Sequence, residues 1–265
     1  MRFVISGALL KKIMILFSKI QGEADLVITK NGIGCKFKFV SYVEDCFLTW
    51  EIDNIEAIDV PDEYYSCNTL SITDINRSIV INDRPLELTI GDEYVTILSR
   101  EVFTQHTKPV ESAFNQRYQI LLKIISDTGS LNSDNYNDIV AQMKIEAMSP
   151  RVIALFGIKE LETILNNSIQ NQSMLTFEIE DNTMKFITGV RGTFYSLDNK
   201  LFYPNPLTTK HYISLERIRY IKELKLVAQT VWIEYVIVDG YYGLRIKPIT
   251  TYKTVEMVVI MNRNQ

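Results

Sequence analysis

The sequence predicts an α+β protein of two similar domains, each built from two βαβββ modules. Three observations predict this organisation. Four segments have the spacing of amphipathic helices, a short strand-like run precedes each helix, and β-rich sequence with a turn signal follows each one. Because the same order occurs four times along the chain, we interpret it as an internal repeat.

The repeated elements follow one another at similar distances. The predicted helices are Ala8–Ile20, Leu70–Asn82, Ile158–Ile169 and Ser214–Leu226. The strand-like runs before them are RFVIS, YYSCN, RVIALF and KHYIS. The turn signals after them, which are typical of β-hairpins, are Asn31-Gly32, Gly91-Asp92, Asp181-Asn182 and Asp239-Gly240. From helix start to turn the separations are 23, 21, 23 and 25 residues, so the spacing repeats as well as the order.

The division into two domains is predicted from the spacing of the helices. Their starts lie 62, 88 and 56 residues apart, and the larger middle distance indicates a connector. The stretch SDTGSLNSDNYND has the Gly, Asn, Ser and Asp content of a linker. We therefore predict an N-terminal domain over residues 1–125, a connector over 126–150 and a C-terminal domain over 151–265.

The strands of such modules leave open edges. In CKFKFV, Phe37 and Phe39 alternate with Lys36 and Lys38, which predicts a sheet with one buried face. Exposed strand edges favour pairing with another chain. A two-domain chain with open edges is therefore a candidate for closing into a ring of identical copies.

Composition indicates an ordinary globular protein without a membrane span. The chain has 265 residues, of which 46% are hydrophobic and 23% charged. No apolar run reaches the roughly 18 to 20 residues that a membrane helix needs. The N-terminus MRFVISGALLKKIMILFSKI has only a superficial likeness to a signal peptide, because Lys11 and Lys12 interrupt its apolar run. We interpret it as folded protein.

The three cysteines predict a reducing environment. Cys35, Cys46 and Cys67 are an odd number in a chain of this size, which favours free thiols in an intracellular compartment. Cys35 and Cys46 could face each other across neighbouring strands, but packing is the simpler interpretation.

No catalytic, cofactor or metal site is predicted. The only histidines, His106 and His211, are far apart and in no ligand spacing. The sequence contains no CxxC, HExxH, GxSxG or GxxxxGK[ST] motif. We therefore predict that the protein is not an enzyme and has no cofactor.

The segment ISLERIRYIKELK concentrates positive charge in a chain whose net charge is −4. Ile218, Ile221 and Leu224 form an apolar stripe, and a basic stripe lies beside it. The residues of the basic stripe are Arg219, Lys222 and Lys225. A solvated outer face is the simplest interpretation of the basic stripe, and a functional interpretation needs evidence from elsewhere in the chain.

This organisation resembles the DNA sliding clamps of the proliferating-cell-nuclear-antigen and T-even-phage type. The segment GALLKKIMILFSK (Gly7–Lys19) is similar to the family's first helix, and IVINDRPLELTIGDEYVTIL (Ile79–Leu98) to the end of its second helix and the following hairpin. RYQILLKII is similar to the strand that enters the interdomain loop, IKELETIL to the third helix and HYISLERIRYI to the fourth. The resemblance covers essentially the whole chain. It implies a homotrimeric ring of the DNA-clamp fold, with helices lining a central hole and sheets outside.

The resemblance places the basic helix residues opposite duplex DNA. Over the four predicted helices the formal charges are +3, 0, −1 and +2, which leaves −8 on the rest of the chain. A positive hole inside a negative exterior suits sequence-independent contact with phosphates. The implied DNA-facing residues are Lys11, Lys12, Lys19, Arg77, Lys159, Arg217, Arg219, Lys222 and Lys225.

The resemblance also implies a groove for partner peptides and an interface between subunits. The residues that match the groove are Phe39, Val40, Tyr42, Val43, Leu131, Tyr241, Tyr242, Val259, Ile260 and Met261. An ordinary core role for most of them is the alternative interpretation. The residues that match the interface edges are Tyr118, Ile120, Leu122 and Ile124 on one side and Phe194, Tyr195 and Leu197 on the other.

The function that the resemblance implies is that of a DNA polymerase processivity factor, which encircles duplex DNA and tethers polymerase and other replication proteins. The implied partners are double-stranded DNA, a polymerase and a clamp loader, the last two bound through short peptide motifs. The implied location is the site of DNA replication, in a bacterial cytoplasm or a nucleus, and a viral or phage source is compatible with it. The alternatives are a clamp-fold processivity or late-transcription factor that forms no ring, and a β-rich scaffold unrelated to DNA.

Overall fold

The computed structural model describes residues 1–43, 46–78, 85–91, 94–99, 119–126, 148–169, 174–180, 183–188, 192–195, 198–201, 207–238, 241–251 and 255–263. The chain divides into two compact units. The first unit comprises Met1–Val40 and Glu51–Ser130, and the second comprises Ser41–Trp50 and Leu131–Gln265. A short segment from the N-terminal half of the chain therefore folds as part of the second unit.

In its described part, the first unit is one antiparallel sheet with two helices. Its strands are β1 (Arg2–Ser6), β2 (Glu23–Asn31), β3 (Gly34–Val43), β5 (Glu56–Ile58), β6 (Glu63–Ser71), β7 (Pro85–Ile90), β8 (Tyr94–Ser99) and β9 (Gln119–Ser126). The last three residues of β3 already belong to the second unit. They lie in the order β5-β1-β7-β8-β9-β6-β2-β3. Its helices are α1 (Gly7–Ser18) and α2 (Ile72–Ser78).

Within the described ranges, the second unit contains two sheets and three helical segments. Its strands are β4 (Cys46–Ile52), β10 (Val152–Gly157), β11 (Met174–Glu180), β12 (Thr183–Thr188), β13 (Gly192–Tyr195), β14 (Asp198–Leu201), β15 (Thr209–Ser214), β16 (Thr230–Val238), β17 (Tyr241–Pro248) and β18 (Val255–Arg263). One sheet has the order β14-β10-β16-β17-β18-β4 and the other β13-β12-β11-β15. The helices are α3 (Ile158–Ile169), α4 (Leu215–Ile218) and a 3₁₀ helix (Arg219–Leu226) that directly continues α4.

The order of elements confirms the predicted repeat of strand, helix and three strands. The four modules are β1-α1-β2-β3-β4, β6-α2-β7-β8-β9, β10-α3-β11-β12-β13 and β15-α4-β16-β17-β18. The short strands β5 and β14 are additions to this pattern. The strands that flank each of the four predicted hairpin turns pair antiparallel with each other. At the first of these turns Gly32 has a φ of 66°, a conformation that favours glycine.

A serine stands at the strand–helix junction of three modules. The Ser6 hydroxyl accepts a hydrogen bond from the backbone N–H of Leu9 at 3.4 Å, and so caps α1. The Ser214 hydroxyl accepts one from the N–H of Glu216 at 3.3 Å and caps α4. The Ser71 hydroxyl donates to the carboxylate of Asp74 in the first turn of α2 at 2.8 Å. The third module has Gly157 at this position instead.

Two predicted helices differ from those in the structure. The helix predicted over Leu70–Asn82 starts later, at Ile72, because Leu70 and Ser71 continue the antiparallel pairing of β6 with β2. The predicted fourth helix is α-helical only over its first four residues and is a 3₁₀ helix thereafter. The prediction for α3 matches its bounds, and α1 differs at its ends by one or two residues.

The spacing of the apolar residues accounts for the 3₁₀ helix. Side chains at i and i+3 lie directly above one another in a 3₁₀ helix, whereas in an α-helix the same stripe drifts around the axis. Leu215, Ile218, Ile221 and Leu224 follow this three-residue spacing, and all four are buried. Tightening the helix therefore keeps all four side chains in the core.

Aromatic side chains fill the interior of each unit. In the first unit the rings of Phe3 and Phe37 lie 5.1 Å apart in an edge-to-face arrangement. In the second unit Phe186 contacts the ring of Phe177, with 5.3 Å between the ring centroids, and Phe177 contacts Tyr235 at 5.7 Å. Such pairs add to the burial of apolar surface that holds each helix pair on its sheet. Among the described helices, none has the length and apolar character needed to cross a membrane.

Candidate functional site

A lysine of α1 contacts the neighbouring helix α2 in the first unit. The Lys11 ammonium donates a hydrogen bond to the backbone carbonyl of Asn76, which lies near the end of α2. Burial lowers the pKa of Lys11. The Asn76 amide in turn donates to the Ser18 hydroxyl at 3.4 Å. Because the acceptor of the Lys11 ammonium is an uncharged carbonyl, this contact leaves the positive charge of the lysine in place.

The helices of the second unit are joined by a lysine–carboxylate pair instead. The Lys225 ammonium, at the end of the 3₁₀ helix, lies 2.6 Å from the Glu162 carboxylate on α3. The hydrogen bond to Glu162 is the main cause that raises the pKa of Lys225. Here the acceptor carries a negative charge, so the pair is close to neutral.

Two arginines of the fourth module bind neighbouring protein groups. The Arg217 guanidinium donates to the backbone carbonyl of Met261 on β18 at 2.9 Å. The Arg219 guanidinium donates to the Tyr220 hydroxyl at 2.6 Å and lies 4.8 Å from the centre of that ring. These contacts hold the two side chains close to the protein surface.

The remaining predicted DNA-facing residues occupy the helices as expected from the sequence. Lys12 lies on α1, Lys19 follows its last residue, Lys159 lies in the first turn of α3 and Lys222 lies on the 3₁₀ helix. Arg77 belongs to α2, but its side chain lies outside the described residues. Whether the basic residues of the two units face one common surface stays a prediction.

The predicted interface residues fall on two strands. β9 lies between β8 and β6. It pairs with β8 from Gln119 to Lys123 and with β6 at its end, where Ile124 is opposite Leu70, so this end of the predicted edge strand is paired on both sides. β13 pairs with β12 and, within the described part of the chain, stands at the edge of its sheet. Ile120, Leu122, Phe194 and Tyr195 lie on these strands, and their side chains are outside the described residues. Tyr118 and Leu197 are also outside them.

The predicted groove residues divide between the interior and the surface. Phe39, Val259 and Met261 are core residues with at most 1% of their surface exposed, which corrects their assignment as peptide anchors. Phe39 packs on Phe17 of α1 with 6.1 Å between the ring centroids. The backbones of Tyr241 and Ile260 lie in β17 and β18, whereas their side chains and the whole of Leu131 are outside the described residues.

The half-buried groove residues lie in different environments. Val40, Tyr42 and Val43 are at the end of β3, where the Tyr42 ring packs on Phe47 at a centroid distance of 4.4 Å. Tyr242 packs instead on the buried His211 ring at 4.8 Å. The described ring contacts of Tyr42 and Tyr242 are therefore with different residues.

His211, which the sequence did not single out, is the centre of a buried polar cluster in the second unit. Its Nε2 lies 2.8 Å from the Tyr235 hydroxyl and 3.0 Å from the Thr209 hydroxyl. Burial lowers the pKa of His211 and raises that of Tyr235. The neutral forms of both groups are therefore favoured in the folded protein.

The remaining ionisable groups give no catalytic arrangement among the residues that the structure describes. The three cysteines are buried thiols, and burial raises the pKa of Cys67 to about 11. Within the described ranges, no group of three His, Cys, Asp or Glu side chains could hold a metal ion. The features that stand out are instead the basic helices and the strand edges.

Solved structures share this fold over nearly the whole chain. Proliferating cellular nuclear antigen from Entamoeba histolytica superposes with a TM-score of 0.67 at 10% identity, covering 100% of this chain and 98% of that one. A chain of the PCNA2–PCNA3 complex from Sulfolobus tokodaii gives 0.62 at 13% identity, covering 99% of both. A protein described as a DNA polymerase III beta subunit from Eubacterium rectale gives 0.63 at 11%, covering 98% of this chain and 65% of that one. No protein-family model and no curated protein matches the sequence.

These superpositions confirm the predicted fold class. The chain has the α+β DNA-clamp fold, with two pairs of βαβββ modules. At identities of 10–13% the likeness concerns the fold. A function has to be inferred from the chemistry that this chain places on that fold.

Proposed function

We propose that this chain is a sliding clamp, a DNA polymerase processivity factor that forms a ring around duplex DNA. The observation that carries the proposal is the separation of charge on the fold. The predicted helix segments sum to +4 in a chain whose net charge is −4. Helices that line a hole with that charge would attract the phosphates of any DNA sequence, while the ring topology rather than tight binding would retain the duplex.

The proposed partners follow from the same fold. Duplex DNA would contact the basic helices through its phosphates, and a polymerase and a clamp loader would bind through short peptide motifs. The end of β3, with Tyr42 and Val43, is the proposed anchor for these motifs because its apolar side chains are partly exposed. In this proposal the protein catalyses no reaction and acts at the site of DNA replication. By the sequence repeat, the proposed domains are residues 1–125 and 151–265, joined by the connector 126–150, with the segment Ser41–Trp50 of the first folding as part of the second compact unit.

The second unit supports a proposal for ring closure. Its last strand, β18, pairs antiparallel with β4, which is the last strand of the first module. The equivalent strands of the other two modules are β9 and β13. By the same repeat, β9 of one copy would pair with β13 of the next, and this head-to-tail contact would close a homotrimer.

The function is tested by polymerase run length on a primed template, with and without the protein. A sliding clamp lengthens the products at constant polymerase concentration, whereas a scaffold unrelated to DNA leaves them unchanged. Tyr42→Ala should shorten the products again, because it removes the proposed anchor. Ile33→Ala is the matched control, since Ile33 is fully exposed at the β2–β3 turn.

Ring closure is tested by proline substitution in β9. Consecutive N–H groups of a strand point to opposite sides, so Ile120→Pro and Leu121→Pro remove donors from opposite edges. We expect one of them to disrupt pairing with β8 and the other to give folded monomers, as measured by sedimentation and thermal melting. If both variants are folded and trimeric, the contact between subunits does not involve β9.

A further inference from the structure

The pair formed by Glu162 and Lys225 joins two helices of the proposed DNA-facing surface. The two side chains are 63 positions apart in the sequence, and their charged atoms lie 2.6 Å apart. Both remain accessible, with 29% of the Glu162 side chain and 48% of the Lys225 side chain exposed. An exposed pair of this kind is weak, so its lysine can exchange one anionic partner for another.

The other acidic residue at the start of α3 is held differently. A Cβ atom added at Gly157 would lie 1.8 Å from a carboxylate oxygen of Glu160, so this side chain folds back over the start of the helix. Glu160 and Glu162 therefore lie on the same helix with the same charge, and the described contacts pair Glu162 with a basic residue of the 3₁₀ helix. Glu160 is for this reason a matched control for Glu162.

We propose that Glu162 competes with DNA phosphates for Lys225 and thereby weakens the hold of the second unit on DNA. This inference rests on the proposed function. A carboxylate and a phosphate bind the ammonium through the same charge-assisted hydrogen bonds, so only one of them can fully use it. When Lys225 turns to a phosphate, Glu162 is left next to a second negative charge and repels it.

The consequence is a surface on which DNA can move. Each contact with a phosphate has to break before the duplex can advance, and a competing carboxylate lowers the free-energy cost of breaking it. The described contact of Lys11 is different, because its acceptor is the uncharged carbonyl of Asn76. Glu162 thus sets the strength of contact without itself contacting DNA.

The inference is tested with Glu162→Gln and the control Glu160→Gln, each in the full-length chain. Binding of a fluorescent duplex is measured over a salt series starting at about 50 mM, where screening is weak. We expect Glu162→Gln to bind about two- to fivefold more tightly than the unchanged protein, which is the range for one exposed ion pair. Its affinity should also fall more steeply with salt, by about 0.9 units of slope for each added phosphate contact. Glu160→Gln should change affinity less.

A double variant separates release of Lys225 from a general change in charge. In the Lys225→Met background the effect of Glu162→Gln should shrink to that of Glu160→Gln. A gain that persists without Lys225, or equal gains from the two glutamate variants, would overturn the inference while leaving the clamp function intact. If the unchanged protein fails to bind duplex DNA even at low salt, this inference fails, whereas the polymerase run-length assay decides the clamp function separately. Single-molecule diffusion gives a second readout, because Glu162→Gln should slow sliding.

Discussion

The helix pairs of the two units have the same place in the fold but carry charge differently. In the first unit Lys11 binds an uncharged backbone carbonyl, and in the second Lys225 binds a carboxylate. With Lys19 included, the helices of the first unit sum to +3, whereas those of the second sum to +1. The repeat therefore conserves geometry between the modules, while the electrostatics of each module depend on its own side chains.

The difference in charge between the two units can be tested by replacing two lysines in one unit at a time. We expect Lys11→Ala with Lys12→Ala to weaken duplex binding about tenfold at low salt, because two positive charges leave the surface and the described acceptor of Lys11 is an uncharged carbonyl. Lys222→Ala with Lys225→Ala should weaken it about threefold, because Glu162 already neutralises one of those charges. Binding by fluorescence anisotropy measures both.

Thermal melting controls for folding in that experiment. The Lys11 change removes one hydrogen bond, a loss of about 1 kcal/mol that should leave the protein folded. Equal losses of affinity from the two double variants, or a larger loss from the second unit, would contradict the comparison.

A second comparison concerns pH, because the second unit encloses His211. Burial lowers the pKa of this side chain from its ordinary value of 6.5, so the unfolded chain binds a proton more readily than the folded one. The contribution of the neutral His211 to the free energy of unfolding is therefore fully present above pH 6.5. It decreases as the pH falls from 6.5 towards the lowered pKa of the folded state. Denaturant unfolding at about pH 7.5 and about pH 5.5 should show this loss.

The variant His211→Gln should reduce the loss of stability in acid. Glutamine can still form a hydrogen bond with the Tyr235 hydroxyl, which packs with the histidine, but it does not titrate. An unchanged pH dependence in this variant would assign the effect to other groups. His106 is the other histidine of the chain. The variant His106→Gln therefore shows how much of the pH dependence comes from a histidine other than His211.

The smallest predicted difference concerns the two capped helices. Ser6→Ala should lower the free energy of unfolding by about 1 kcal/mol, because it removes the cap of a full α-helix. Ser214→Ala should cost about 0.5 kcal/mol, at the lower end for a cap, because α4 spans only four residues before the 3₁₀ helix. Urea unfolding of the two variants measures the difference, and a larger effect at Ser214 would contradict it.

The sequence was a good guide where local periodicity determines structure. The bounds of α3 and the order of all four modules were predicted because apolar spacing and hairpin signals are local. The 3₁₀ helix was missed although its signal was present, since Ile218, Ile221 and Leu224 are spaced by three residues. Distinguishing an apolar spacing of three residues from the 3.6 residues of an α-helix would have predicted the 3₁₀ helix.

The parts that the sequence did not reveal depend on contacts between distant residues. The partner of Lys225 lies in a different module, and nothing near either residue identifies the other. His211 stood alone in the sequence, and only the fold places Tyr235 and Tyr242 beside it. Val259 and Met261 were assigned to a groove from resemblance, whereas packing beneath the sheet buries them.

The central claim, that topology rather than affinity holds the protein on DNA, can be tested without a clamp loader. Linear duplex is fixed to a bead at one end, the protein is added, and the free end is then capped with a bulky protein. After a high-salt wash that removes phosphate contacts, a restriction enzyme cuts off the cap. We predict that the protein stays on capped DNA and leaves after the cut. Retention that does not depend on the cap, or complete loss in the wash, would contradict a sliding ring.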